Sequence, residues 1–125
     1  MANGADPDHD VCVELLRSAT APLIVPGPVL AELTYLVGRT LGAHAEASVL
    51  RSLSAARYQI EPLLPTDLAR MGDLVEQYAD LPLGGTDAAA IAIAERLQLD
   101  TVATLDRRHF SVVRPSHMGA LTLIP

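Results

Sequence analysis

The chain has no lysine and no tryptophan, one phenylalanine and one cysteine. Without lysine there can be no P-loop lysine, no Schiff-base lysine and no phosphoacceptor-domain lysine. All nine basic residues are arginines, so any local contact to phosphate falls to the planar guanidinium fork. Cys12 stands alone, which excludes an internal disulfide. No apolar run approaches the ~20 residues that span a bilayer. The N-terminus carries neither a basic region nor a hydrophobic stretch, so no signal peptide is expected. These absences point to a cytoplasmic protein with no membrane association. Metal and nucleophile signatures are missing too. His9, His44, His109 and His117 form no His-Glu-x-x-His pattern, and there is no Cys-x-x-Cys and no Gly-x-Ser-x-Gly elbow. The histidines read as surface residues by type, with His109 the exception because it closely follows Asp106. A net charge of −6 argues against a general basic surface for nucleic acid.

What is present suits one α/β domain covering residues 1–125. The chain has 125 residues, half of them apolar and 19% charged, enough to bury about two-thirds of the unfolded surface. Pro7 can sit in the first turn of a helix capped by Asp6, with Val11, Val13, Leu15 and Leu16 along it. Leu23-Ile24-Val25 reads as a buried strand between Pro22 and Pro26. Pro28 opens a helix with an apolar face of Val29, Leu30, Leu33, Leu36 and Val37. A helix over 43–55 and a strand over 58–60 follow. Thr66 and Asp67 cap a helix reaching Tyr78. Leu81 to Gly85 is a loop, and Thr86 caps a helix apolar nearly all round until Glu95, which implies a buried position. Val102 to Leu105 and Leu121 to Ile124 close the set as strands. Alternating strands and helices imply a parallel sheet flanked by helices, with ligands beyond the carboxyl ends of the strands.

Three carboxylates stand among apolar neighbours. Glu32 borders the apolar face of its helix, Asp87 opens Asp87-Ala88-Ala89-Ala90-Ile91, and Asp106 ends Thr101-Val102-Ala103-Thr104-Leu105-Asp106. Burying an unpaired carboxylate costs several kcal/mol, and a divalent cation is the cheapest shared partner for three. Plainer readings exist for each. Asp is favoured in the first turn of a helix, a border Glu is commonly solvated, and Asp106-Arg107-Arg108-His109 could be a solvated turn. Arg107, Arg108 and Arg114 form a local basic cluster that suits either a solvated face or a phosphate contact.

Three segments carry a resemblance to a known family: Val29-Leu30-Ala31-Glu32-Leu33, Gly85-Thr86-Asp87-Ala88 and Thr104-Leu105-Asp106-Arg107-Arg108-His109-Phe110. In this order and spacing the chain resembles the PIN domain, and among PIN domains the VapC toxins of VapBC toxin–antitoxin systems. The resemblance implies a PIN-like three-layer fold and a metal-dependent endoribonuclease acting as a toxin. It implies Mg²⁺ or Mn²⁺ held by Glu32, Asp87 and Asp106 as catalytic residues, with Thr104 supporting Asp106. Arg107 and Arg108 would position the RNA. A VapB-type antitoxin and a second copy of the chain are the implied partners.

The chain departs from that family at its start. Members open with a central hydrophobic strand ending in an aspartate that is the first metal ligand. No such segment precedes Asp6, Asp8 or Asp10, so none of them inherits the role. Losing four or five buried side chains at ~1.5–3 kcal/mol each would remove about 6–15 kcal/mol, the whole stability of a typical domain. The chain alone is therefore expected to fold poorly and be inactive unless something replaces the strand. A start placed downstream in a longer protein would explain this, as would a degenerate relative. The rival function is a non-catalytic relative that binds the antitoxin as a decoy. A phosphatase or small-ligand domain is a further rival, without an Asp-x-Asp strand end to support it.

Overall fold

Prolines bound the first strand. β1 (Leu23–Pro26) lies between Pro22 and Gly27, and α2 (Gly27–Leu41) begins at once with Pro28 in its first turn, where a missing N–H leaves no hydrogen bond unmade. The structure, a computed structural model, describes residues 7–104 and 107–124. The chain divides into two compact units, Met1–Glu61 and Pro62–Pro125. Among the described residues there are six helices and four short strands, in the alternation expected from the sequence. No described helix is long and apolar enough to cross a membrane.

The first unit holds α1 (His9–Ser18), β1, α2, α3 (Ala43–Leu53) and β2 (Tyr58–Glu61). β1 and β2 run parallel, in register from Leu23 opposite Tyr58 to Pro26 opposite Glu61. Arg57 ties the strand entry to the end of α1 by donating to the Leu16 carbonyl, while its own carbonyl accepts the Leu23 N–H at 2.8 Å. α2 and α3 form a tight pair. The Glu46 carboxylate occupies the space that a Cβ on Gly38 would take. Gly42 serves both helices: its N–H caps α2 at the Gly38 carbonyl and its carbonyl accepts the Glu46 N–H, both at 3.1 Å. Its φ of 90° and ψ of 175° lie in a region essentially confined to glycine. Substituting Gly42→Ala should lower stability by about 1–3 kcal/mol, read as an earlier urea midpoint with an unchanged slope.

The second unit holds α4 (Pro65–Gln77), α5 (Gly85–Arg96), β3 (Thr101–Ala103), α6 (Arg107–Val112) and β4 (Thr122–Ile124). β3 and β4 are parallel, from Thr101 opposite Thr122 to Ala103 opposite Ile124. The apolar run after Asp87 does make α5 the buried helix: Ala88, Ala89 and every residue from Ile91 to Glu95 are buried. Leu74 of α4, Leu83 of the preceding loop, Phe110 of α6 and Val113 pack with Ala88 and Ile91 in one cluster. α5 ends in a Schellman turn, with Leu99 N–H on the Ala94 carbonyl at 2.8 Å and Gln98 N–H on Glu95 at 3.2 Å. Gln98 takes the left-handed position (φ 57°) usually given to glycine, and its Nε2 donates to the Glu95 carbonyl at 3.1 Å.

Several local expectations are corrected. α1 starts at His9 with Asp8 as its cap, so Pro7 lies before the helix, and Asp6 lies outside the described residues. Gly84, and not Thr86, caps α5; Leu64 caps α4. Asp67 sits one turn in and reaches back, accepting the Leu64 N–H at 2.8 Å. α6 was unforeseen because six residues are too few for a periodic pattern. On α2 only Val37 is buried, while Leu33 and Leu36 are exposed.

Candidate active site

Asp87 is the third residue of α5, following the loop that Leu83 pins into the core. The adjoining Ala88 is fully buried, so the helix start is fixed and the Asp87 carboxylate is left at its margin, 31% exposed. The carboxylate does not close back on its own helix. Its Oδ2 lies 2.8 Å from Nδ1 of His109, on α6, whose ring is 20% exposed. An ionised carboxylate can only accept, so Nδ1 carries the proton in this contact. Oδ1 has no hydrogen-bond partner among the described residues. The expectation that His109 differs from a surface histidine thus finds a physical basis. His9 and His117 are also half-buried, with His117 Nε2 at 2.6 Å from the Leu99 carbonyl, so of the four histidines only His44 is exposed as its type suggests.

The other expected site residues are distributed as follows. Thr104 follows β3, half-buried, with its N–H on the Ile124 carbonyl at 2.8 Å. Asp106 lies outside the described residues. Arg107 and Arg108 are exposed on the first turn of α6, and Arg107 reaches the Leu123 carbonyl at 3.4 Å. Glu32 belongs to the first unit and is exposed on α2. Its charge is therefore not made costly by an apolar setting, because the neighbouring Leu33 is exposed as well.

Among the described residues the two buried carboxylates are Asp67 and Glu95, which the sequence placed only as a helix cap and a helix end. Asp67 is 3% exposed, and both its oxygens face Arg96 Nε, at 3.0 and 3.1 Å. Glu95 is 7% exposed, receives Arg70 Nε at 2.7 and 3.1 Å, and accepts the Ser116 N–H at 2.9 Å. Burial pushes the Glu95 carboxyl up, but the bonds from Arg70 and Ser116 outweigh it and hold the group below its ordinary range. Asp67 behaves alike: burial raises it, and Arg96 with the Leu64 N–H brings it below normal. These pairs clamp α4 and the 113–118 segment onto α5. The signal that could have found them was Glu95 itself, a charge ending an otherwise apolar buried helix.

The PIN domain family profile matches residues 2–114. Ribonuclease VapC26 of Mycobacterium tuberculosis is 37% identical over 123 residues, spanning 98% of this chain and 91% of that protein. This chain belongs to the PIN-domain family, in its VapC branch. The crystal structure of Mycobacterium tuberculosis VapC20, a sarcin-ricin loop cleaving toxin, superposes with a TM-score of 0.78 at 16% identity, covering 85% of this chain and 82% of that one. The α/β arrangement here is thus a PIN fold. PIN-domain ribonucleases generally depend on a divalent metal. Among the described residues no group of three or more His, Cys, Asp or Glu could hold an ion; Asp106 lies outside them. Asp87 itself fits one such ligand position: a hard oxygen donor, partly exposed, with Oδ1 uncommitted.

Proposed function

We propose that this PIN domain is the toxin of a type II toxin–antitoxin system and hydrolyses RNA phosphodiesters with Mg²⁺ or Mn²⁺ in the cytoplasm. The observation that carries this reading is the 37% identity to a named ribonuclease along 98% of the chain. Asp87, Asp106 and Glu32 are the proposed metal ligands and catalytic residues, and Thr104 supports Asp106. When bound, the ion supplies an activated water and offsets the charge that develops on the phosphate. Asp87 offers it Oδ1, which is unbonded among the described residues, at a helix start fixed by the core. Arg107 and Arg108, exposed on α6 in the same unit, hold the RNA backbone and fix its register. The whole of residues 1–125 acts as one domain, pairs with a second copy, and is restrained by a VapB-type antitoxin.

The test is incubation of the purified full chain with total bacterial RNA and mapping of new 5′ ends. Discrete cuts should appear with Mg²⁺, vanish with EDTA and return when the metal is restored. Cuts that persist undiminished in EDTA would exclude the metal-dependent mechanism. Antitoxin binding without any metal-dependent cutting would favour the decoy reading.

A further inference from the structure

We propose that His109 is a positioning residue: by donating Nδ1–H to Asp87 Oδ2 it fixes the plane of that carboxylate and directs Oδ1 toward the metal. The inference deepens the metal-dependent reading above and rests on it. Three observations carry it. First, the contact is short, 2.8 Å, and reaches between two helices 22 residues apart in sequence. Second, both ends are held by the same core. Ala88, next to Asp87, is fully buried, and Phe110, next to His109, is 6% exposed; both belong to one apolar cluster with Val113. The two backbones are therefore fixed relative to each other before any ion arrives. Third, no other side chain among the described residues is bonded to Asp87 to orient it. Its helix is capped by the Gly84 backbone without a side-chain bond, and Oδ1 is uncommitted among the described residues.

The last torsion of an aspartate is broad and roughly two-fold. A carboxylate tethered at one oxygen loses that freedom before the metal binds, so less ordering remains to be done on binding. Partners of ligating groups act in this way, and removing one typically weakens metal affinity 10–100-fold. α6 then has two functions in its first turn: Arg107 and Arg108 lie toward solvent, while His109 turns to α5.

The experiment measures Mn²⁺ binding to the full chain without RNA, from the loss of the free-ion electron paramagnetic resonance signal. Circular dichroism and the unfolding midpoint check each variant's fold. His109→Asn keeps a donor near the Nδ1 position and should bind within a few-fold of wild type. His109→Gln keeps the amide but moves it one carbon further, and His109→Ala removes it; both should bind 10–100-fold more weakly. Asp87→Ala should lose the site altogether. If Asp87→Ala loses Mn²⁺ while His109→Ala and His109→Gln retain wild-type affinity, the positioning role is overturned and the metal reading stands. If wild type and Asp87→Ala are alike in failing to bind Mn²⁺, the metal reading falls and takes the inference with it. The Asn–Gln comparison decides the matter even if the alanine variant unfolds.

Discussion

Asp87→Ala should abolish metal-dependent RNA cleavage while leaving the fold in place. The structural half of that expectation follows from where the side chain sits. Asp87 is 31% exposed, and among the described residues its one hydrogen-bond partner is His109. The burial that stabilises α5 belongs to its neighbours, Ala88, Ile91 and Ala94. Losing one partly exposed hydrogen bond costs on the order of 1 kcal/mol, a small shift in the unfolding midpoint. The functional half is much larger. Outer-shell changes at metal sites already cost about 10–100-fold, so removing a ligand should exceed 100-fold. Asp87→Asn separates charge from shape. It keeps the size of the side chain and an oxygen to accept from His109, yet carries no charge to hold a divalent ion. Both variants should be folded, and both should fail to cut. Cleavage by either at more than a tenth of the wild-type rate would remove Asp87 from the ligand set.

Much of the fold could be read from short-range patterns. Pro22, Pro26 and Pro28 delimit β1 and start α2 because proline forbids the alternatives. The all-round apolar run from Ala88 to Ala94 identifies α5 as the buried helix, since no exposed helix tolerates such a surface. Alternation of strands with helices gives parallel pairing, because parallel neighbours need a crossover. Pairwise electrostatics could not be read. Asp67 looks like a helix cap in sequence, and it is half that: one oxygen accepts the Leu64 N–H, while the carboxylate also holds an arginine 29 residues on. Nothing local announces such a partner. Glu32 illustrates the opposite failure. Apolar neighbours in sequence imply burial only if that helix face is covered, and on α2 Leu33 and Leu36 are exposed. For the site, residue type and spacing pointed to Asp87 through family resemblance. Its contact with His109 was foreshadowed only by the closeness of that histidine to Asp106.

Arg70→Ala should destabilise the chain by about 2–3 kcal/mol at neutral pH, a fall in midpoint on the order of 10 °C. Breaking a buried ion pair typically costs ~3–5 kcal/mol because the remaining charge is stranded. The lower figure applies because Arg70 is 31% exposed and partly screened, whereas Glu95 is 7% exposed. Without Arg70, Glu95 keeps its bonds from the Ser116 side chain and N–H, and burial weighs more heavily against its charged form. The pH dependence follows. In the intact chain Glu95 and Asp67 are held below their ordinary values. The stability they give is fully present above the ordinary carboxylate range near pH 4, and is lost as pH falls through the lower folded values. The gap between wild type and Arg70→Ala should therefore be widest near pH 7 and should narrow on acidification, as Glu95 becomes neutral in both. Urea unfolding across that range measures it directly. A compensating pair sharpens the test. Arg70→Met with Glu95→Gln removes both charges, keeps an oxygen for the Ser116 N–H, and fills similar volume; replacing a buried pair in this way is commonly neutral or stabilising. The double variant should regain most of the loss and show a weaker acid dependence than wild type. A gap that stays constant down to acid pH would mean that Arg70 stabilises α4 by packing its methylenes, with little contribution from its bond to Glu95.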